Sequence, residues 1–141
     1  MGSTLIDRRE LLERFAHLID DAHQPADTHL AAYLELDTDD PDGLTVGVRP
    51  FDEHPTEVDW SREVQDSWWA VALCVRGRAH FLDDPARGPE RIVSTFARSR
   101  DGQEVSLLRR DGVVTRLPEE AVGRIPDLLR SLLPAESRAR P

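Results

Sequence analysis

The apolar run in the middle of the chain constrains the fold more than any other feature. Residues 67–82 read SWWAVALCVRGRAHFL, and every residue from Trp68 to Val75 is apolar. Such a run is too short to cross a bilayer, and its length fits a strand buried on both faces. Gly77 leaves two interpretations open: a bulge in one long strand, or part of an Arg76-Gly77 turn between two short strands. In both cases we expect the run to supply the central strand of a sheet.

A β-hairpin is predicted before this run. Residues 28–36 show the alternation of a half-buried strand, and Leu44, Val46 and Val48 resume it after the acidic segment 37–43. The segment between them is rich in turn-forming residues, which predicts a long acidic hairpin loop.

A three-stranded meander is predicted after the central run. The strand-like residues 92–99, 103–109 and 113–117 are separated twice by Arg-Asp-Gly. Asp-Gly between apolar runs is a strong hairpin signal, because glycine accepts the positive φ that such turns need.

Amphipathic patterns predict a helix at each end of the chain. Apolar residues from Leu11 to Ala22 recur at helical spacing, and this helix should end near His23. Pro118 is expected to open the final helix, Pro126 to kink or split it, and Pro134 to end it.

The order of these elements defines the fold class. A helix, two strands, a crossover, three or four strands and a helix indicate an α+β fold, with a mainly antiparallel sheet of about five to six strands packed by the two terminal helices. The crossover, residues 52–66, fits a short helix or an irregular segment anchored by Trp60. We expect residues 1–134 to form a single domain and residues 135–141 a short disordered tail.

In element order alone, the chain resembles the roadblock and PAS/GAF class of small regulatory domains. In size, acidity and terminal helices it is similar to small acidic secretion chaperones. Neither resemblance rests on a residue motif, so no family is assigned from it.

Charge is unevenly distributed along the sequence. The 141 residues include 27 acids and 18 basic residues, which give a formal net charge of −9. Residues 1–66 carry 17 acids against 5 arginines, and residues 67–141 carry 10 acids against 13 arginines. We therefore expect a dipolar acidic protein that does not bind nucleic acid. Arginines gather in the meander, from Arg91 to Arg116, but the acids interleaved with them favour a solvated sheet of mixed charge.

Composition also bears on source and compartment. The chain has no lysine and no asparagine, whose codons are AT-rich, which suggests a GC-rich bacterial genome. The N-terminus lacks the layout of a signal peptide, and Cys74 is the single cysteine, so no disulfide within the chain is expected. We predict a cytoplasmic protein that does not contact membranes.

No spacing of reactive side chains matches a known catalytic or metal site. Strand geometry keeps Cys74 and His80 apart in both interpretations of the central run. The acidic loop, residues 37–43, lacks ligands at two EF-hand positions, and Asp52, His54 and Glu57 match no recognised metal spacing. We therefore predict no catalytic residue, no metal and no cofactor.

The first functional hypothesis is a non-enzymatic protein-interaction module. Apolar residues occur on both faces of the meander, Val105 and Leu107 on one and Leu108 on the other, so both faces should be covered, by the terminal helices or by another subunit. A regulator, adaptor or chaperone-like protein that binds a protein partner or a second copy of itself would have this pattern.

The alternative is a small-molecule-binding or small enzymatic domain with a pocket between sheet and helices. Aromatic residues near the central run would line the pocket, and a histidine, His80 or His54, would be its polar group. The candidate ligand-binding residues are Tyr33, Trp60, Trp68, Trp69 and His80. A sheet–helix interface filled by side chains would exclude this alternative.

Overall fold

The computed structural model describes residues 7–22, 28–36, 43–79, 86, 88–117 and 124–133. These residues form one six-stranded antiparallel sheet and two helices, as the α+β prediction requires. The elements are α1 (Arg8–Ala22), β1 (His29–Leu36), β2 (Leu44–Phe51), β3 (Trp68–Ala79), β4 (Glu90–Ser99), β5 (Glu104–Arg110), β6 (Val113–Arg116) and α2 (Arg124–Leu132). The strand order is β2-β1-β3-β4-β5-β6.

The central run forms one strand, β3. Its pairing with β4 continues from Ala70 to Ala79 without a shift at Gly77, so Gly77 is neither a turn nor a bulge. The irregularity lies instead where Leu34 of β1 pairs with Ala70 and Glu35 pairs with Trp68. Trp69 is the extra residue at this point, and a bulge there lets two successive side chains share one face.

Two hydrophobic clusters cover the two faces of the sheet. On one face, which we call the α1 face, residues of α1 such as Leu12 and Ile19 pack on Leu34, Cys74 and Leu107. On the opposite face, the α2 face, Leu129 and Leu133 pack with Phe51, Trp60, Val71 and Leu73. The terminal helices therefore provide cover on both sides of the central strands.

The crossover from β2 to β3 contains two short 3₁₀ turns, Pro55–Glu57 and Trp60–Arg62, and no α-helix. Trp60 anchors it as predicted: its side chain is buried, its indole N–H donates to the Pro55 carbonyl at 2.8 Å, and its ring meets Phe51 edge-on.

The predicted turns of the meander are present. Asp111 and Gly112 have φ values of 53° and 78° and form a two-residue turn, and Gly102 ends the other turn with φ of 84°.

Pro126 is the third residue of α2, which is continuous from Arg124 to Leu132. The residues just before Arg124 lie outside the described ranges, so the kink or split expected at Pro126 stays a prediction. The predicted helix opening at Pro118, the helix end at His23, the acidic loop 37–42 and the C-terminal tail lie outside the described residues. Neither α1 nor α2 is long and apolar enough to span a membrane.

Candidate functional site

A cavity of about 460 Å³ opens on the α2 face of the sheet. Its floor consists of small and branched side chains of β1 and β3, and its walls come from β2, the crossover and α2. The lining includes Ala31, Tyr33, Gly47, Arg49, Trp60, Glu63, Val64, Trp68, Val71, Leu73, Leu129 and Leu132. The interface between sheet and helix is therefore not filled by side chains.

One wall of the cavity is an aromatic stack. The rings of Tyr33 and Trp68 are parallel, with centroids 4.3 Å apart. Tyr33 lies directly opposite Gly47 of β2, and a Cβ atom on Gly47 would be 2.1 Å from the tyrosine ring. The absence of a side chain at position 47 thus lets the Tyr33 ring lie across β2.

The facing wall and the rim are built around Trp60. The guanidinium of Arg49 lies 5.6 Å from the centre of the Trp60 ring, within cation–π range. Arg49 also forms an ion pair with Glu63 at 2.7 Å. The third charged residue of the lining, Arg62, forms an ion pair with Asp59 at 3.6 Å. Because each of these arginines has an acidic partner, the aromatic and aliphatic lining dominates the chemistry of the cavity.

The structure brings together three of the five residues predicted as ligand-binding. Tyr33, Trp60 and Trp68 line the cavity. Trp69 lies on the α1 face, where its indole N–H donates to the Asp101 carboxylate at 3.0 Å. The bulge places Trp69 on the same face as Ala70, and the alternation that resumes after it leaves Trp68 on the α2 face. His80 lies outside the described residues. Gly47, Arg49, Glu63 and the α2 residues of the lining could not be predicted from the sequence, because no local pattern indicates their approach to Tyr33 and Trp60.

Within the described ranges, the other reactive side chains, Cys74 and His54 with its neighbours, do not form a site. Burial raises the pKa of the Cys74 thiol, which opposes formation of the nucleophilic thiolate. The His54 Nδ1 atom lies 2.7 Å from the Thr56 hydroxyl and accepts the Thr56 amide hydrogen at the start of a 3₁₀ turn. Across the described ranges, no three His, Cys, Asp or Glu side chains are grouped as metal ligands.

Strand β2 forms one edge of the sheet and exposes apolar side chains. The apolar side chains of Leu44, Val46 and Val48 are 47%, 38% and 45% exposed, and all three lie on the α1 face of the sheet. Helix α1 packs mainly over β3, β4 and β5. We refer to Leu44, Val46 and Val48 as the β2 edge.

The backbone of the β2 edge is oriented outwards. Pro50 lies inside the β1–β2 ladder, opposite Leu30. Proline has no amide hydrogen, so within a ladder it occupies a position whose N–H would point away from the paired strand. Hydrogen-bonding direction alternates along a strand. Leu44, Val46 and Val48 share the phase of Pro50 and therefore direct their N–H and C=O groups to the open edge.

Comparison with known proteins finds no matching family model, no similar curated protein and no similar solved structure.

Proposed function

We propose that this protein is a non-enzymatic interaction module that pairs with a second copy of itself through the β2 edge. The main support is that the three residues of the β2 edge expose apolar side chains and also direct their backbone hydrogen-bonding groups outwards. Pairing would extend the six strands of each copy into one sheet of twelve strands. The assembled sheet would then be the platform on which a regulator or adaptor presents its surfaces.

Self-pairing is supported by the internal symmetry of β2. In an antiparallel pair centred on Val46, Val46 faces its own copy and Leu44 faces Val48 of the other chain. A two-fold contact needs such self-complementarity, because the same patch serves both subunits. The arrangement joins apolar side chains to apolar side chains along the α1 face.

The charge pattern of β2 supports the same proposal. Arg49 is its one charged residue, and β2 contains no acid, although the chain as a whole has 27 acids in 141 residues. Exposed edge strands are commonly protected against pairing by charged side chains or by being very short. The opposite edge of the sheet, β6, is four residues long, whereas β2 has eight.

Sedimentation velocity on the full chain tests this proposal. We expect a wild-type mass of about 32 kDa, twice the 15.9 kDa of one chain. Val46→Lys should give the monomer, because it places a charge at the centre of the pairing strand. Val113→Lys is the matched control, since Val113 is an apolar residue, 64% exposed, on the other sheet edge, and this variant should remain dimeric.

A wild-type monomer at the highest attainable concentration would overturn the proposal. So would a dimer that survives Val46→Lys while circular dichroism shows an intact fold. If Val46→Lys fails to fold, Leu44→Lys provides the same test nearer the end of the strand.

A second candidate function, binding of an uncharged flat aromatic molecule, is favoured by the cavity on the α2 face. Its volume of about 460 Å³ lies in the range of small-molecule sites, and its aromatic walls would contact a planar ring. The charged lining residues already have ion-pair partners, Arg49 with Glu63 and Arg62 with Asp59, so a charged ligand has little advantage there.

Calorimetric titration with indole tests this candidate. We expect saturable binding that Ala31→Phe abolishes, because the larger side chain fills the floor of the cavity. Leu18→Ala, which removes an exposed side chain of α1, should bind as the wild type does. Absence of heat with the wild type, or equal binding by a folded Ala31→Phe variant, would reject the candidate.

A further inference from the structure

A second cavity, of about 410 Å³, lies on the α1 face near the C-terminal end of α1. Its charged lining consists of Arg76, Arg78, Arg91, Arg109 and Asp111. Strand alternation explains the arrangement. Arg76 and Arg78 follow Cys74 in steps of two, and Arg91 precedes Val93 by two, while Cys74 and Val93 both belong to the α1-face cluster. Four arginines thus converge on one concavity in a chain of net charge −9.

Two of these arginines are direct cross-strand neighbours. Arg78 of β3 is opposite Arg91 of β4, and the next pair of the same phase joins Arg76 to Val93. Cβ atoms of opposed residues lie about 5 Å apart, and like charges so placed destabilise a sheet. Arg78 and Arg91 make no ion pair with any other residue in the described part of the chain. Their opposition is therefore a cost to the free protein that a bound anion would remove.

Arg109 is differently engaged. Its guanidinium donates to the buried Asp20 carboxylate at 3.2 Å and 2.5 Å, and Asp21 lies 3.5 Å away. Asp20 and Asp21 therefore form ion pairs with Arg109 and do not neutralise Arg78 or Arg91. Asp111 is the single acid among the described lining residues, beside four arginines.

We propose that this cavity binds the phosphate group of a small molecule, a phosphate monoester or a diphosphate, between Arg78 and Arg91. Planar guanidinium groups donate pairs of hydrogen bonds that match phosphate oxygens. An oxyanion between the two arginines replaces their repulsion with two attractive contacts. Arg76, one step along β3, is placed to reach a second phosphate group.

The surroundings favour a small ligand over a nucleic acid. The described lining contains no aromatic side chain on which a base could stack. Residues 1–66 carry 17 acids and 5 arginines, so an extended polyanion would meet repulsion outside the cavity.

Calorimetric titration of the full chain with inorganic pyrophosphate, at constant ionic strength, tests the proposal. We expect one site per chain, and Arg78→Gln or Arg91→Gln should each weaken affinity by about tenfold or more, as loss of a charge-assisted hydrogen bond implies. Arg14→Gln is the matched control. It removes an exposed arginine of α1 that pairs with Glu10, and it should bind pyrophosphate normally.

Thermal melting without ligand distinguishes loss of a site from loss of the fold. Because each glutamine variant removes a like-charge contact, its melting temperature should equal or exceed that of the wild type, while the rise on adding pyrophosphate should be lost. The proposal is overturned if the wild type shows no pyrophosphate binding at millimolar concentration, or if both glutamine variants bind as the wild type does. It is also overturned if a single-stranded oligonucleotide binds more tightly than pyrophosphate, which would identify a polyanion site.

Discussion

Two carboxylates, the buried Asp20 and the half-buried Glu104, each pair with arginine and join a helix to the sheet, one on each face. On the α1 face, Asp20 is 1% exposed and accepts two hydrogen bonds from Arg109, which raises the pKa of the arginine. On the α2 face, Glu104 of β5 accepts from Arg130 of α2 at 2.7 Å and 2.8 Å and pairs with Arg98. Each pair ties a helix to a strand that is distant in sequence, so breaking it leaves a charge without its partner in a poorly solvated place.

Glu104→Gln should destabilise the protein by about 3 kcal/mol at neutral pH, because Arg98 and Arg130 lose their shared carboxylate. Burial by itself raises the pKa of Glu104, but hydrogen bonds and charge from Arg130 and Arg98 outweigh it and leave the pKa below its ordinary value. A depressed pKa in the folded state contributes stability that is complete above roughly pH 5 and is lost as the pH falls through the folded-state pKa.

Urea unfolding at about pH 7 and about pH 3 measures this contribution. The difference between wild type and Glu104→Gln should shrink in acid. Glu10→Gln, which removes the exposed helical partner of Arg14, is the control and should have little effect at either pH. A difference of equal size at both pH values would contradict the assignment.

The elements that pattern alone predicts best are those set by local backbone chemistry. The turn between β5 and β6 requires positive φ at both Asp111 and Gly112, and the Asp-Gly motif accordingly predicted a hairpin at this place. The structure at Gly77 could not be predicted in this way. Whether β3 is one long strand or two short strands joined by a turn depends on whether a partner strand continues beside Gly77. The partner, β4, is ten residues long and pairs through Gly77, and this contact decided in favour of one strand.

Gly112→Ala should destabilise the fold by about 1 kcal/mol, since alanine is strained at φ of 78° while a Cβ atom there would meet no neighbour. Gly77→Ala is the matched control. A Cβ atom at Gly77 also meets no neighbour within 4 Å, and Gly77 has extended backbone, so this variant should be neutral or stabilising by about 0.5 kcal/mol. Thermal or urea unfolding measures both, and equal effects of the two substitutions would contradict the argument from backbone conformation.

At the scale of the whole molecule, the position of α1 decides which surfaces remain available. Helix α1 packs mainly over β3, β4 and β5 and also contacts β1, whereas the side chains of the β2 edge stay exposed. Near the last described turn of α1, Arg109 pairs with Asp20 and Asp21, while Arg76, Arg78 and Arg91 line an open cavity. The interaction surface that we propose and the anion site that we infer therefore both follow from which strands α1 covers.

The α+β class, the hairpins, the terminal helices and Trp60 as an anchor could be predicted from the sequence. Each depends on periodicity or turn chemistry within a short window. The candidate cavity was predicted in part: Tyr33, Trp60 and Trp68 line it, but Trp69 does not, because the bulge in β3 places Trp69 on the α1 face together with Ala70. No local pattern specifies where in the strand a bulge will interrupt the alternation.

In the central apolar run, too, the local sequence determines one part of the structure and tertiary contacts determine the other. Its composition by itself determined that residues 68–75 would be a strand covered on both faces, since eight apolar residues are stable in water only when both sides are hidden. The tertiary structure alone decided what covers it, α1 on one side and α2 with the crossover on the other, with a cavity left over on the second side. The physical reason is the sequence separation of the contacts involved. Burial of a strand is favoured by its own side chains, whereas the fit of the covering layer depends on contacts between residues far apart in the chain.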